Sequence, residues 1–321
     1  MKKAIKYIFL IIVIVLAGLA CFVKLALPNV GAPEDIKVEI TPERVERGSY
    51  LANSICVCMD CHSTRDWSKF SGPLMEGTLG KGGETFGRKL GFPGNFYSKN
   101  LTPEGIGSWT DGEVLRAIAS GVSKNGKALF PVMPHANYGR MEREDLFSVI
   151  AYLRTLKPVK NTVPESEADF PMNFIINTIP KKAEFDEMQN RANPLAYGKY
   201  LFNAAACGEC HTKQEKGQPV AGMELAGGFE FPMPTGVVRS ANITPDKETG
   251  IGNWTEEAFV RRFKKYADST YRPCTVEKGG FNTTMPWTMY SSMSEDDLKA
   301  MYTFLKHVKP VSNSVEKFTG R

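Results

Sequence analysis

The sequence predicts a mostly α-helical chain in which one unit occurs twice behind an N-terminal apolar helix. Three observations carry this. The motif Cys58-Met59-Asp60-Cys61-His62 recurs as Cys207-Gly208-Glu209-Cys210-His211. The same landmarks then follow each copy in the same order. Asn100-Leu101-Thr102-Pro103, Ile106-Gly107 and Trp109-Thr110 return as Asn242-Ile243-Thr244-Pro245, Ile251-Gly252 and Trp254-Thr255. From Met133 onward the halves run 152 positions apart, Met133-Pro134 matching Met285-Pro286 and Lys157-Pro158-Val159 matching Lys309-Pro310-Val311. Agreement of this length marks an internal repeat. Finally, Tyr7 to Val23 contains neither charge nor proline.

A chain of 321 residues with 42% hydrophobic content is long enough for two modest domains after the apolar segment is set aside. The expected division is 1–36 for the apolar segment and tether, 37–160 for the first unit, 161–192 for a linker and 193–321 for the second unit. The net charge of +5 includes Lys2, Lys3 and Lys6, so the rest is only mildly basic and nucleic acid is not indicated. Four of the seven cysteines lie in the two motifs. Cys21, Cys56 and Cys274 have no obvious partner, which argues against a disulfide framework.

Lys2, Lys3 and Lys6 precede the apolar run, which exceeds the usual signal-peptide core and approaches the length needed to span a bilayer. An uncleaved anchor through residues 7–23 is expected, with the lysines cytoplasmic and everything after Lys24 outside. Gly18-Leu19-Ala20-Cys21 offers a competing reading as a cleavage or lipidation site. Thr41-Pro42-Glu43 predicts a helix start, the helix running through Tyr50-Leu51 into the first motif. Glycines and aromatics from Ser63 to Asn100 predict loops and a short hairpin. Thr110 and Glu113 form a capping-box pattern for a helix ending near Gly121, and Thr255 caps its equivalent. Amphipathic helices are predicted near Glu144–Leu156 and Asp296–His307, the latter capped by Ser294. Residues 162–191, rich in Pro and mixed charge, connect the halves.

The spacing within the motifs indicates a chemistry. Two thiols three positions apart on a helical turn can each bond one vinyl group of a haem, and the following imidazole meets the iron. Zinc would need a fourth ligand that neither copy offers locally. A dithiol exchange site has no use for the histidine. Cys58, Cys61, Cys207 and Cys210 are thus expected to hold two covalently attached haem c groups, with His62 and His211 on the iron.

A second ligand must come from farther along the chain. His135 aligns with Trp287 and His307 with Thr155, so histidine does not serve both copies alike. Met133 and Met285 each precede a proline, which excludes helix at the methionine and holds it in an extended loop. They are the expected ligands, with ordinary packing as the alternative. Met141 and Met293 lie just before helices, where a large apolar side chain staples the N-terminus. Trp109 and Trp254 are candidates either for the core or for haem contact.

The order C-x-x-C-H, N-[LI]-T-P, I-G-x-W-T and M-P resembles the class I cytochrome c domains in the cytochrome c subunits of bacterial membrane-bound alcohol and gluconate dehydrogenases. The resemblance covers about Thr41 to Val159 and Asn193 to Val311. It implies two tandem class I cytochrome c domains behind an N-terminal membrane helix, with axial roles for His62, Met133, His211 and Met285. It also implies electron transfer toward quinone or a terminal oxidase. The expected redox partners are a dehydrogenase subunit, a quinol-oxidising complex or a terminal oxidase, and with the lysines cytoplasmic the haem domains are expected on the periplasmic face of the cytoplasmic membrane. Those subunits commonly carry three haem domains and this chain two, so a stand-alone relay fits equally. An electron carrier is expected in preference to an enzyme, the alternatives being a dihaem cytochrome c peroxidase or a thiosulfate dehydrogenase.

Overall fold

The computed structural model describes residues 2–187 and 190–320. Met188 and Gln189 of the expected linker, and the terminal Met1 and Arg321, lie outside the described residues. Helix α1 (Lys2–Leu25) has no buried residue. At 1.5 Å per residue it is about 36 Å long, enough for a hydrocarbon core of ~30 Å. It is the one described helix long and apolar enough to cross a membrane.

Helices hold 39% of the described residues. In the first half, α2 (Pro42–Tyr50) begins as expected, with Pro42 in the first turn and Thr41 accepting a bond from the Arg44 N–H. It does not run unbroken into the motif. A π-helical turn over Leu51–Ile55 is followed by Val57 in the left-handed region (φ +44°), and only then by α3 (Cys58–Cys61). Short helix α4 (Pro103–Ile106) precedes α5 (Asp111–Ser120), which has the full Thr110–Glu113 capping box and ends at Gly121 with φ +71°. Then come α6 (His135–Tyr138) and α7 (Arg143–Arg154). The connection carries α8 (Met172–Ile175). The second half follows the same order with α9 (Pro194–Ala204), α10 (Cys207–His211), α11 (Glu256–Lys264), α12 (Trp287–Tyr290) and α13 (Glu295–His307). Thr255 and Ser294 cap α11 and α13 through their hydroxyls.

The strands are short. β1 (Thr85–Phe86), β2 (Gly94–Tyr97) and β3 (Glu167–Ala168) form one antiparallel sheet, and β4 (Gln214–Glu215) and β5 (Gln218–Pro219) a small hairpin. A third sheet joins β6 (Glu230–Met233), β7 (Gly236–Arg239) and β8 (Phe318–Gly320).

In each half the helix that leads up to the motif, α2 or α9, packs against the last long helix at a glycine. A Cβ on Gly48 would lie 1.8 Å from the Ser148 carbonyl oxygen, and one on Gly198 1.9 Å from that of Ala300. The helix axes can approach this closely only without a side chain there. Gly198→Ala is expected to force α9 from α13 and destabilise the chain by about 2–3 kcal/mol, despite alanine's better helix propensity. A lower denaturant midpoint at unchanged slope would show it.

The apolar core is continuous across the halves, running from Leu51, Ile55 and Ile150 to Leu201, Met293 and Leu298. Polar contacts across the seam are reciprocal. Tyr50 Oη donates to Asp297 at 2.6 Å, and its counterpart Tyr200 donates to Asp145 at 2.6 Å. Asp145 also takes a bidentate pair of bonds from Arg47, at 2.8 and 2.7 Å.

The segments expected as tether and linker are laid against the first half. Glu34 of the tether pairs with Arg143, and just past the tether Val38 N donates to Asp111 at 2.8 Å. Glu184 N donates to the Gly139 carbonyl at 2.9 Å. The Phe170–Phe174 stretch meets the end of α1, where Lys24 Nζ reaches the Asn173 carbonyl at 2.7 Å and lies over the Phe174 ring.

Candidate haem-binding sites

Each motif helix starts from a residue forced into left-handed backbone, Val57 (φ +44°) or Ala206 (φ +50°). For a β-branched valine this conformation is costly, so the surrounding fold must hold it. Its effect is to turn the chain sharply before the cysteines. Cys58 and Cys61, like Cys207 and Cys210, then sit three apart on one helical turn, on the same face. All four are free thiols. Desolvation pushes both Cys58 and Cys207 up to about 12, so they stay un-ionised at neutral pH.

The two histidines are oriented identically. His62 Nδ1 lies 2.7 Å from the Lys99 carbonyl oxygen, and His211 Nδ1 lies 2.7 Å from that of Ala241. A carbonyl only accepts, so Nδ1 carries the proton and the Nε2 lone pair is left for a metal. Desolvation lowers both imidazoles below their usual pKa, against the opposing hydrogen bond, which keeps them neutral.

What holds those carbonyls was not legible from the motifs as read. The residue after each is the asparagine of the N-[LI]-T-P repeat. Asn100 Nδ2 donates to the Val159 carbonyl at 2.8 Å while its Oδ1 accepts from the Thr102 N–H and hydroxyl. Asn242 does the same with Val311 and Thr244. From the other side, Gly82 N donates to the His62 carbonyl and Gly227 N to that of His211, each at 2.8 Å. Both glycines have positive φ, and a Cβ on either would fall 2.5 Å from the backbone that presents the accepting carbonyl. The paired Gly82-Gly83 and Gly227-Gly228 were the available signal.

Met133 and Met285 are half-buried and pack on the same apolar cluster as Cys58 and Cys207. The prolines after them adopt matching backbone angles, φ −77°, ψ 58° and φ −80°, ψ 63°. Each starts a short helix that a tyrosine ties to its motif. Tyr138 Oη donates to the Cys56 carbonyl at 3.0 Å and Tyr290 Oη to the Ala205 carbonyl at 2.9 Å. The methionine loop and the residue two before the first cysteine are thereby fixed together in both halves. Met141 and Met293 are fully buried immediately before the caps of α7 and α13, the staple position.

The remaining candidates separate clearly. Cys56 is buried with its sulfur 3.7 Å from Met141 Sδ. His135 is 3% exposed, its Nε2 has no hydrogen-bond partner among the described residues, and desolvation holds its pKa down to about 4. His307 is exposed and bonds the Thr303 carbonyl. Trp109 packs on the core and lines a cavity of about 170 Å³ with Lys99 and Asn100, beside the carbonyl that orients His62. Trp254 is more exposed, with its carbonyl accepting from Tyr302.

The donor set fits haem c: paired free thiols, an imidazole with its tautomer fixed for Nε2 ligation, and a thioether loop tied to the same motif. Residues 195–309 match the family model for cytochrome c. The chain is 27% identical over 294 residues to the cytochrome c subunit of a quinone-type alcohol dehydrogenase from Komagataeibacter europaeus, covering 86% of this chain and 58% of that protein. It is also 27% identical to the gluconate 2-dehydrogenase cytochrome c subunit of Pantoea cypripedii, covering 86% and 62%. A dihaem c-type cytochrome of Cereibacter sphaeroides is 26% identical, covering 79% and 82%. The chain thus spans little more than half the length of the dehydrogenase subunits it matches. It carries a cytochrome c domain at residues 195–309 and is similar, over most of its length, to the cytochrome c subunits of alcohol and gluconate dehydrogenases.

Proposed function

We propose that the chain is a membrane-anchored dihaem c-type cytochrome, two tandem class I domains that relay single electrons. The donor would be a dehydrogenase subunit or quinol-oxidising complex and the acceptor a protein such as a terminal oxidase. The observation that carries this reading is the repeated pairing of a carbonyl-oriented histidine with a Met-Pro loop that a tyrosine ties to the same Cys-x-x-Cys motif. Bound there, haem c supplies one-electron redox chemistry. Cys58 and Cys61, and Cys207 and Cys210, would hold it covalently; His62 with Met133, and His211 with Met285, would occupy both axial positions. Two protein ligands at each iron would leave no position for a substrate, which favours a relay over a peroxidase or thiosulfate dehydrogenase. A thioether ligand also raises the reduction potential, suiting acceptance of electrons from such donors.

The apolar helix and the lysines before it support an anchor with the haem domains on the periplasmic side. The names of the relatives support a dehydrogenase partner. Purification from the native membrane tests the whole reading. The expected result is two covalent haems per chain, no carbon monoxide binding by the reduced protein, and a copurifying dehydrogenase subunit. Rapid carbon monoxide binding or peroxide turnover would assign an enzyme instead.

A further inference from the structure

The methionine loop of the second half is braced by a loop of the first. Residues 66–72 fold back after the first motif and are fastened to it by Arg65, whose guanidinium donates to Asp60 (2.7 Å), the Ser71 carbonyl (2.8 Å) and the Gly72 carbonyl (2.9 Å). Arg65 and Asp60 are both buried, with side chains 6% and 7% exposed. The loop then reaches across the seam. Phe70 N donates to the Cys274 carbonyl and Val276 N to the Ser68 carbonyl, each at 2.8 Å. Asn282, 2% exposed, accepts from Ser71 N at 2.9 Å and donates to the Trp67 carbonyl at 3.2 Å.

At the end of this chain of contacts is Ser71, fully buried and held at φ +63°. A serine there is strained by about 1 kcal/mol or more. Its hydroxyl donates to the carbonyl of Met285 itself at 2.6 Å and accepts from Trp287 N at 3.1 Å. Both hydrogen-bonding roles of one hydroxyl are therefore spent on the Met285–Trp287 turn. Trp287 N also closes a local bond on the Met285 carbonyl at 2.8 Å, as His135 N does on the Met133 carbonyl at 2.7 Å, but no group of the second half bonds the Met133 carbonyl among the described residues. The second half does hold the helix after Met133, Asn203 Nδ2 donating to the Asn137 carbonyl at 2.9 Å, but only the Met285 carbonyl is itself bonded from the other half among the described residues.

We infer that Ser71 is a positioning residue for the second site: its hydroxyl, anchored through Arg65 and Asp60 to the first motif, sets where the Met285 sulfur stands. Ligation in the second half then depends on a folded loop of the first. The inference rests on Met285 being the sulfur ligand proposed above.

The test is made in the full-length chain carrying Met133→Ala, so that any remaining far-red sulfur-to-iron band reports the second site. Met285→Ala is added first as a control. A band that survives it would show the ligand assignment wrong, independently of the brace. With the band assigned to Met285, Ser71→Gly and Ser71→Ala are compared at full haem content. Glycine removes the hydroxyl while relieving the backbone; alanine removes the hydroxyl and keeps the strain. Both are expected to weaken the band by at least about twofold and to lower the potential of the second site. Should the alanine variant fail to load haem, the glycine variant decides alone. An unchanged band and potential in either loaded variant would overturn the inference.

Discussion

Replacing Cys58 and Cys61 together by serine is expected to remove covalent haem from the first site, halving the pigment that stays with the denatured chain. The nearby Cys56 offers a thiol two positions earlier, but it does not face the same way. Its sulfur is buried against Met141, and its carbonyl is taken by Tyr138, so the segment cannot turn outward without breaking the tie to the methionine loop. The second site should load normally, because Cys207, Cys210 and the Ala241 carbonyl that orients His211 all lie in the other half. The measurement is haem content after denaturation, by the absorbance of the pyridine complex. Full retention would show that the motif is not the point of attachment.

Replacing Met133 or Met285 by alanine should leave the covalent haem in place and abolish the sulfur-to-iron band of the affected site. The potential of that site should fall by on the order of 100 mV, a fraction of the ~0.8 V range that axial ligands control. The reason is local. Pro134 and Pro286 prevent the helix from starting at the methionine, and Tyr138 and Tyr290 fix the following turn to the motif backbone. Removing the side chain would therefore delete the proposed ligand without moving its scaffold. Neither His135 nor Trp287 is set to replace it: His135 is packed against Gly121, where an added Cβ would lie 2.6 Å from its Nε2, and Trp287 is stacked on Tyr266. Unchanged spectra in both variants would eliminate the ligand assignment.

Much of this was legible in the sequence because it is written locally. The Thr41, Thr110, Thr255 and Ser294 caps follow from residues three apart, and the motif spacing fixes which side chains share a helical face. Repetition made the methionine loops visible even though nothing local names their role. Other features depend on segments distant in sequence, where pattern carries no register. The break at Val57 was missed because a valine in left-handed backbone runs against its own preference and is enforced only by packing. The role of Asn100 and Asn242 was hidden in a repeat that looked like fold punctuation. The contacts of Ser71 with Met285 join residues 214 positions apart, beyond the reach of any periodicity.

The exchange of Tyr50 and Tyr200 between halves has a consequence for how the duplicated unit is to be handled. Each tyrosine sits on the helix leading up to one copy's motif and satisfies a nearly solvent-free carboxylate on the other's closing helix. Cutting the polypeptide at the linker would therefore strand Asp145 and Asp297 without those phenols and lay bare apolar surface on both fragments. The two halves of the repeat behave as interlocked pieces, so either half alone is a poor stand-in for the native molecule.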